Sequence, residues 1–136
     1  MSPAITRRHR VRWCECDMFG HVNHTAYLLW CEDLRVAHWE SLGQSFCPGG
    51  VGPVVARLEA RYLAPLAYGE EVTLTLSVPS LRRSSFVHDY AVWRGEQQVF
   101  ACRAVVVCVD NATGRPIPIP PEARALLTGR DGALAE

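Results

Sequence analysis

Residues 24–42 form a helical segment that is apolar on most of its circumference, and this segment limits the folds open to the chain. Tyr27, Leu28, Leu29, Trp30, Cys31, Leu34, Val36, Ala37 and Trp39 run through it. The polar positions Glu32, Asp33, Arg35 and Glu40 take up only part of one side. A helix lying on a surface needs a broad polar face, so this one is expected to be buried by the rest of the chain. Local signals mark both ends. Asn23 is a natural N-cap, because its side chain can accept from the free N–H groups of the first turn. Gly43 sits where a left-handed C-terminal cap would end the helix.

Beyond the helix the chain changes period. Ala56, Leu58, Ala60 and Tyr62 alternate with Arg57, Glu59 and Arg61, and Val72, Leu74, Leu76 and Val78 alternate with Thr73, Thr75 and Ser77. Such period-2 runs predict strands. Phe86 to Trp93 is a third strand, and Arg94-Gly95-Glu96 is a turn. Val99 to Val109 is nearly all apolar, as a central strand buried on both faces would be. Before the helix, Thr6 to Cys16 reads as a strand and Asp17 to Val22 as a loop. The proline-rich run from Pro116 to Pro121 breaks the sheet, and a short helix is expected near Glu122 to Leu127. The order is strand, buried helix, then four strands. It predicts an α+β fold, a five-stranded antiparallel sheet wrapped around one long helix. Strands gathered after the helix argue against a doubly wound parallel sheet.

At 136 residues the chain is expected to be one domain over 1–136. Fourteen basic residues, all arginine, balance fourteen acidic ones, so charge supplies no reason to expect nucleic acid or an anionic membrane as partner. Met1 to Arg8 lead into no apolar core of a signal peptide. The apolar stretches fall far short of the roughly 20 residues a membrane span needs. The six cysteines, Cys14, Cys16, Cys31, Cys47, Cys102 and Cys108, show no Cys-x-x-Cys spacing. Free thiols in a reducing, cytoplasmic setting are expected. Cys14-x-Cys16 with His21 or His24 is a weak metal candidate, because a zinc site needs four convergent ligands. No metal and no cofactor is expected.

The dense polar cluster is Glu15-Cys16-Asp17-Met18-Phe19-Gly20-His21-Val22-Asn23-His24, between a strand and the start of the buried helix. A helix N-terminus offers free N–H donors and a partial positive charge that stabilise an oxyanion. A carboxylate beside it can attack a carbonyl or activate water. Acyl transfer needs both. No Gly-x-Ser-x-Gly elbow is present, which argues against a serine hydrolase.

The run Asp17-Met18-Phe19-Gly20-His21-Val22-Asn23-His24-Thr25-Ala26-Tyr27-Leu28 resembles the signature of hotdog-fold acyl thioesterases of the 4-hydroxybenzoyl-CoA thioesterase type. The resemblance extends through Tyr62-Leu63-Ala64-Pro65, Tyr68-Gly69-Glu70 and Leu81-Arg82-Arg83-Ser84-Ser85-Phe86. It implies a homodimer whose sheets join, often paired further to a homotetramer, with active sites at the subunit interface. It also implies an acyl thioester of coenzyme A or acyl carrier protein as substrate. By position, Asp17 matches the catalytic carboxylate, as nucleophile or base, and the His24 backbone N–H matches the oxyanion donor. Arg82, Arg83 and Ser85 match a turn that holds nucleotide phosphates in some members. His21 departs from the plain pattern and resembles the plant acyl-carrier-protein thioesterases, where an Asp, an Asn and a His act together. Phe19 stands where that Asn would be.

Plainer roles stand beside these. Asp17 could cap the turn before the helix, Asn23 could act as a cap more than as a substrate contact, and His21 could be a structural hydrogen-bonding residue. Tyr27 and Trp30 fit core or acyl-pocket walls, with Trp39 and Phe46 as further pocket candidates. His88 and Asp89 fall on opposite faces of one strand. Three functions remain open: thioester hydrolysis, an enoyl-thioester hydratase or dehydratase using Asp17 with His21, and non-catalytic acyl-thioester binding.

Overall fold

The computed structural model describes residues 2–136. Its elements in chain order are β1 (Ile5–Arg10), a 3-10 turn (Trp13–Glu15), α1 (His24–Ser41), β2 (Val51–Tyr62), β3 (Glu71–Ser77), β4 (Ser80–Leu81), β5 (Ser85–Arg94), β6 (Gln97–Asp110), α2 (Pro121–Gly129) and β7 (Leu134–Ala135). The five long strands form one antiparallel path, β1-β3-β5-β6-β2. β4 pairs with the start of β5, and β7 runs parallel to β4.

α2 is the short helix expected near Glu122 to Leu127, but the expected five-stranded antiparallel sheet has seven strands and carries one parallel pairing. The two extra strands have two residues each, too short to show a period in sequence. They exist because α2 packs Ala123 and Leu127 into the core and so carries the chain end back to Leu81. The first strand also ends earlier than expected. Val11 leaves β1, becomes fully buried and donates to the Glu70 carbonyl, and the chain then tightens into the 3-10 turn.

Helix α1 begins and ends on its local signals. The Asn23 side chain accepts from the Thr25 N–H, and Gly43 takes φ +78° while its N–H bonds the Glu40 carbonyl. Burial follows a stripe rather than the whole circumference: Ala26, Tyr27, Trp30, Cys31, Leu34, His38 and Trp39. These lie against inward residues of the sheet such as Leu74, Leu76, Tyr90, Val92, Phe100 and Ala104. Leu29 and Val36, on the outer side, are exposed. β6 is an interior strand, flanked by β5 and β2, but its burial alternates along the strand and Arg103 is exposed, so it is fully buried on one face and not on both as its apolar run predicts. Asp89 points outward to the Arg103 guanidinium at 2.7 Å, and His88 points inward and is buried. No helix of the described residues is long and apolar enough to cross a membrane.

A chain of polar groups crosses this core. His38 Nε2 meets Asp131 Oδ2 at 2.8 Å, His88 Nε2 meets His38 Nδ1 at 3.0 Å, and His88 Nδ1 meets the Tyr90 hydroxyl at 2.9 Å. Arg35 closes the chain by donating to the Tyr90 oxygen. One assignment of protons satisfies every link with both imidazoles neutral. Tyr90 O–H donates to His88 Nδ1, His88 Nε2–H to His38 Nδ1, and His38 Nε2–H to the Asp131 carboxylate. Burial lowers the pKa of both histidines from the ordinary 6.5. In His38 this outweighs the raising effect of Asp131, and in His88 the charges of His38 and Arg35 add to it. The unfolded chain thus takes up protons that the folded chain refuses, and stability falls as pH drops below 6.5. The loss reaches at most about 1.4 kcal/mol per histidine for each pH unit. Thermal melting should show a Tm that declines from pH 7 to pH 5. A flat profile over that window would contradict a neutral buried pair.

Candidate active site

The loop between the 3-10 turn and α1 is a miniature hairpin. Cys16 and Val22 pair antiparallel, the Asp17 N–H donates to the His21 carbonyl at 2.8 Å, and the Gly20 N–H returns to the Asp17 carbonyl. Gly20 takes φ +85°, a conformation that side chains with a Cβ resist and that this reversal requires. The turn aims the Asp17 carboxylate. Oδ1 accepts from the Phe19 N–H at 2.9 Å and lies 3.5 Å from the His21 nitrogen, whereas Oδ2 has no partner among the described residues. Asp17 therefore caps its own turn with one oxygen and presents the other to solvent.

The helix start stands on the far side of this hairpin. Asn23 Oδ1 takes the Thr25 N–H at 3.0 Å and the Thr25 hydroxyl at 2.9 Å, and the Asn23 carbonyl takes the Ala26 N–H. The His24 N–H is left without an acceptor among the described residues, a free donor at the positive end of α1. Asn23 is the helix cap, its Oδ1 taken up by the Thr25 N–H and hydroxyl.

The clefts divide the predicted residues. Asp17 lines one of about 450 Å³ with Trp13, Met18, Gly20 and Tyr68. His21 and His24 line another of about 280 Å³ with Tyr27, Tyr62, Leu63 and Pro65. The walls of the second are aromatic and tightly packed. Tyr27 stacks on Phe100 at 4.8 Å, and Tyr62 stands edge-on to Tyr27 and donates to the His24 carbonyl. Burial pushes the Tyr27 phenol up to about 12, so it stays neutral. Trp30 lies behind Tyr27 in the core, and Trp39 is fully buried. Phe46 is exposed and lines neither of these clefts.

The sheet end beneath these clefts is braced by residues that sequence analysis passed over. Arg94 Nη1 bonds Glu70 Oε1 at 3.0 Å and the Pro65 carbonyl, and Glu70 Oε2 accepts from the Ala67 N–H. The braced 65–70 segment in turn pairs Ala67 with His21 and offers the Leu66 carbonyl to the Val22 N–H. Tyr62-Leu63-Ala64-Pro65 and Tyr68-Gly69-Glu70 are part of the resemblance, but nothing in their spacing assigned them this work. Glu15, beside Asp17, is a buried carboxylate whose role the sequence also left blank.

Arg82, Arg83 and Ser85 lie elsewhere. Arg82 and Ser85 line a hollow of about 210 Å³ with Arg57 and Ser80, and Arg82 Nε pairs with Glu136 at 3.1 Å. Arg83 is exposed. Ser85 begins β5 and Arg94 ends it, so the basic turn and the Asp17 end lie at opposite ends of the strand, roughly 30 Å apart. Among the described residues no group of three or more His, Cys, Asp and Glu is placed to hold a metal ion, and all six cysteines are free.

The sheet wrapped around α1 is the hotdog arrangement, and an exposed carboxylate on a tight turn lies in the loop that leads into that helix. The sequence profile of the Thioesterase-like superfamily matches residues 11–127, and the chain belongs to that family. It is 24% identical over 85% of its length to a chloroplastic acyl-acyl carrier protein thioesterase of Arabidopsis thaliana, and spans 63% of that protein. It is 31% identical to YneP of Bacillus subtilis, which bears a provisional acyl-CoA thioesterase name, over 79% of this chain and 80% of that one. A thioesterase superfamily structure from Jannaschia superposes with TM-score 0.87 at 34% identity, covering 96% of this chain and 85% of that one. A Thermus thermophilus thioesterase, solved with coenzyme A and zinc, superposes with TM-score 0.79 at 28% identity, over 93% and 98% of the two chains.

Asn23→Ala should remove the cap at the start of α1 and lower stability by about 1 kcal/mol, read as a lower urea midpoint with unchanged slope.

Proposed function

We propose that the chain hydrolyses acyl-CoA thioesters, with Asp17 as the catalytic carboxylate and the His24 backbone N–H as the oxyanion donor. The observation that carries this reading is the Asp17 turn, which ties down Oδ1 and leaves Oδ2 without a partner, in the loop that leads into the free His24 N–H at the start of α1. The carboxylate either attacks the thioester carbonyl, expelling the thiolate and leaving a mixed anhydride that water then hydrolyses, or takes a proton from a water that attacks the carbonyl, after which the C–S bond breaks and the thiolate leaves with that proton. In both routes negative charge grows on the carbonyl oxygen, where a preorganised donor at a helix N-terminus lowers the barrier. The acyl group lies against Tyr27, Tyr62 and Leu63. His21 contributes its ring to that same cleft and its backbone to the Asp17 turn. That arrangement favours hydrolysis over a hydratase chemistry in which the two side chains act as a pair.

The site is completed by a second copy. β2 is a twelve-residue strand whose only neighbour among the described residues is β6, so among these residues one row of its backbone N–H and C=O groups is unpaired, and Val54 and Leu58 on it are exposed. An edge of this length is a template for another strand. Antiparallel pairing with the same strand of a second copy brings opposite sheet ends together. It places the partner subunit's Arg82 and the partner subunit's Arg83 toward Asp17, where guanidinium groups match nucleotide phosphates and favour coenzyme A as carrier. Pairing of such dimers into a tetramer, a reducing cytoplasmic setting, and no need for cofactor or metal complete the proposal.

Thiol release from aromatic, short-chain and long-chain acyl-CoAs should be seen with the wild type and fall at least about a hundredfold in Asp17→Ala. Equal rates in the two would remove Asp17 from the mechanism. Sedimentation should show a dimer or larger, and Arg82→Ala should raise KM for acyl-CoA more than it lowers kcat.

A further inference from the structure

We propose that Glu15 is a positioning residue of the acyl-transfer site, a buried joint that sets the Asp17 turn against the start of α1; this rests on the proposed roles of Asp17 and His24. Glu15 is 8% exposed. Its Oε1 accepts from the Arg12 N–H at 2.8 Å and meets His9 Nε2 at 2.8 Å, and its Oε2 accepts from the Trp30 indole N–H at 2.6 Å. One carboxylate thus ties together β1, the 3-10 turn and α1. Its backbone does a second job, because the Glu15 carbonyl accepts the Asn23 N–H at 2.8 Å. Asp17 is two residues on from Glu15, and His24 is the residue after Asn23. Both reacting groups are held by one clamp with a side-chain jaw on Trp30 and a main-chain jaw on Asn23.

The chemistry of the clamp calls for a carboxylate. The groups that converge on it are donors, and only an ionised carboxyl has two oxygens that both accept. Burial works to raise its pKa. The hydrogen bonds from the Arg12 N–H, Trp30 and His9, with the charge of His9, outweigh that and hold it below the ordinary 4.5. A glutamine can satisfy only one side. With its oxygen toward Arg12 and His9, its NH₂ faces the Trp30 N–H, donor against donor. Trp30 cannot swing away, since Tyr27 packs on it at 5.0 Å and His9 at 4.9 Å.

Glu15 touches no reacting atom, so its loss should act on geometry. A displacement of about an ångström can cost about tenfold to a hundredfold in rate. In folded Glu15→Ala, kcat should fall by that range, with KM within about threefold of wild type. Amide exchange at Asn23 and Thr25 should rise. Glu15→Gln should be intermediate, and Trp30→Phe combined with it should recover part of the loss, because the clashing donor is gone. Rates are taken per folded molecule, with the folded fraction from circular dichroism. Wild-type kcat in folded Glu15→Ala, or unchanged exchange at Asn23, would overturn the proposal. Should that variant not fold, Glu15→Gln with and without Trp30→Phe decides by the same readouts, additive losses counting against the clamp. A wild type that hydrolyses no thioester sinks the role of Asp17 instead, and the exchange measurements still decide whether Glu15 sets the turn.

Discussion

Everything in this molecule is arranged around the need to cover the apolar stripe of α1. Tyr27, Trp30, Leu34 and Trp39 cannot face water together, and only a sheet that curves around the helix buries them from one side. That packing fixes where the N-terminus of α1 emerges, and therefore where its free N–H donors point. The loop that carries Asp17 is then placed by short, local means: a pairing of Cys16 with Val22, a glycine at positive φ, and the braced 65–70 segment beneath it. The supports of this loop thus reach into the core through Val22 and Leu66, although Asp17 itself lies on an exposed turn.

The core also explains why polar groups are tolerated inside it. His38, His88, Asp131 and Tyr90 form a continuous run of donors and acceptors, and no buried side-chain polar atom among the described residues lacks a partner. A satisfied network of this kind specifies one packing, since any shift in α1 relative to β5 breaks several bonds at once. It also anchors the chain end. Asp131 is held by His38 and by Arg130, whose guanidinium reaches back to the Ser41 carbonyl at the end of α1. Glu15 does at one end of the helix what Asp131 does at the other, pinning it to the rest of the chain through a buried carboxylate.

A single chain carries the two halves of the proposed site at opposite ends of β5. The same sheet leaves β2 as a long open edge. In the proposed dimer an antiparallel partner at that open edge inverts the sheet and brings the basic end of one subunit toward the Asp17 end of the other.

Much of this was legible in residue order. The long helix, its Asn23 and Gly43 ends, the interior position of β6 and the opposite faces of His88 and Asp89 follow from periods and capping chemistry that act within a few residues. The Asp17 turn and the helix N-terminus were legible for the same reason, because neighbours in sequence build them. What sequence left out are contacts between residues far apart in the chain. β4 and β7 pair only after α2 folds back, Arg94 finds Glu70 only across the sheet, and His38 meets Asp131 only once the chain end is anchored. The separation of Arg82 from Asp17, and the assignment of Trp39 to the core and Phe46 to the surface, were likewise decided by the tertiary structure. Local chemistry determines which segments are helix, strand and turn, whereas which side chains meet depends on how those segments pack, and no short-range pattern encodes that.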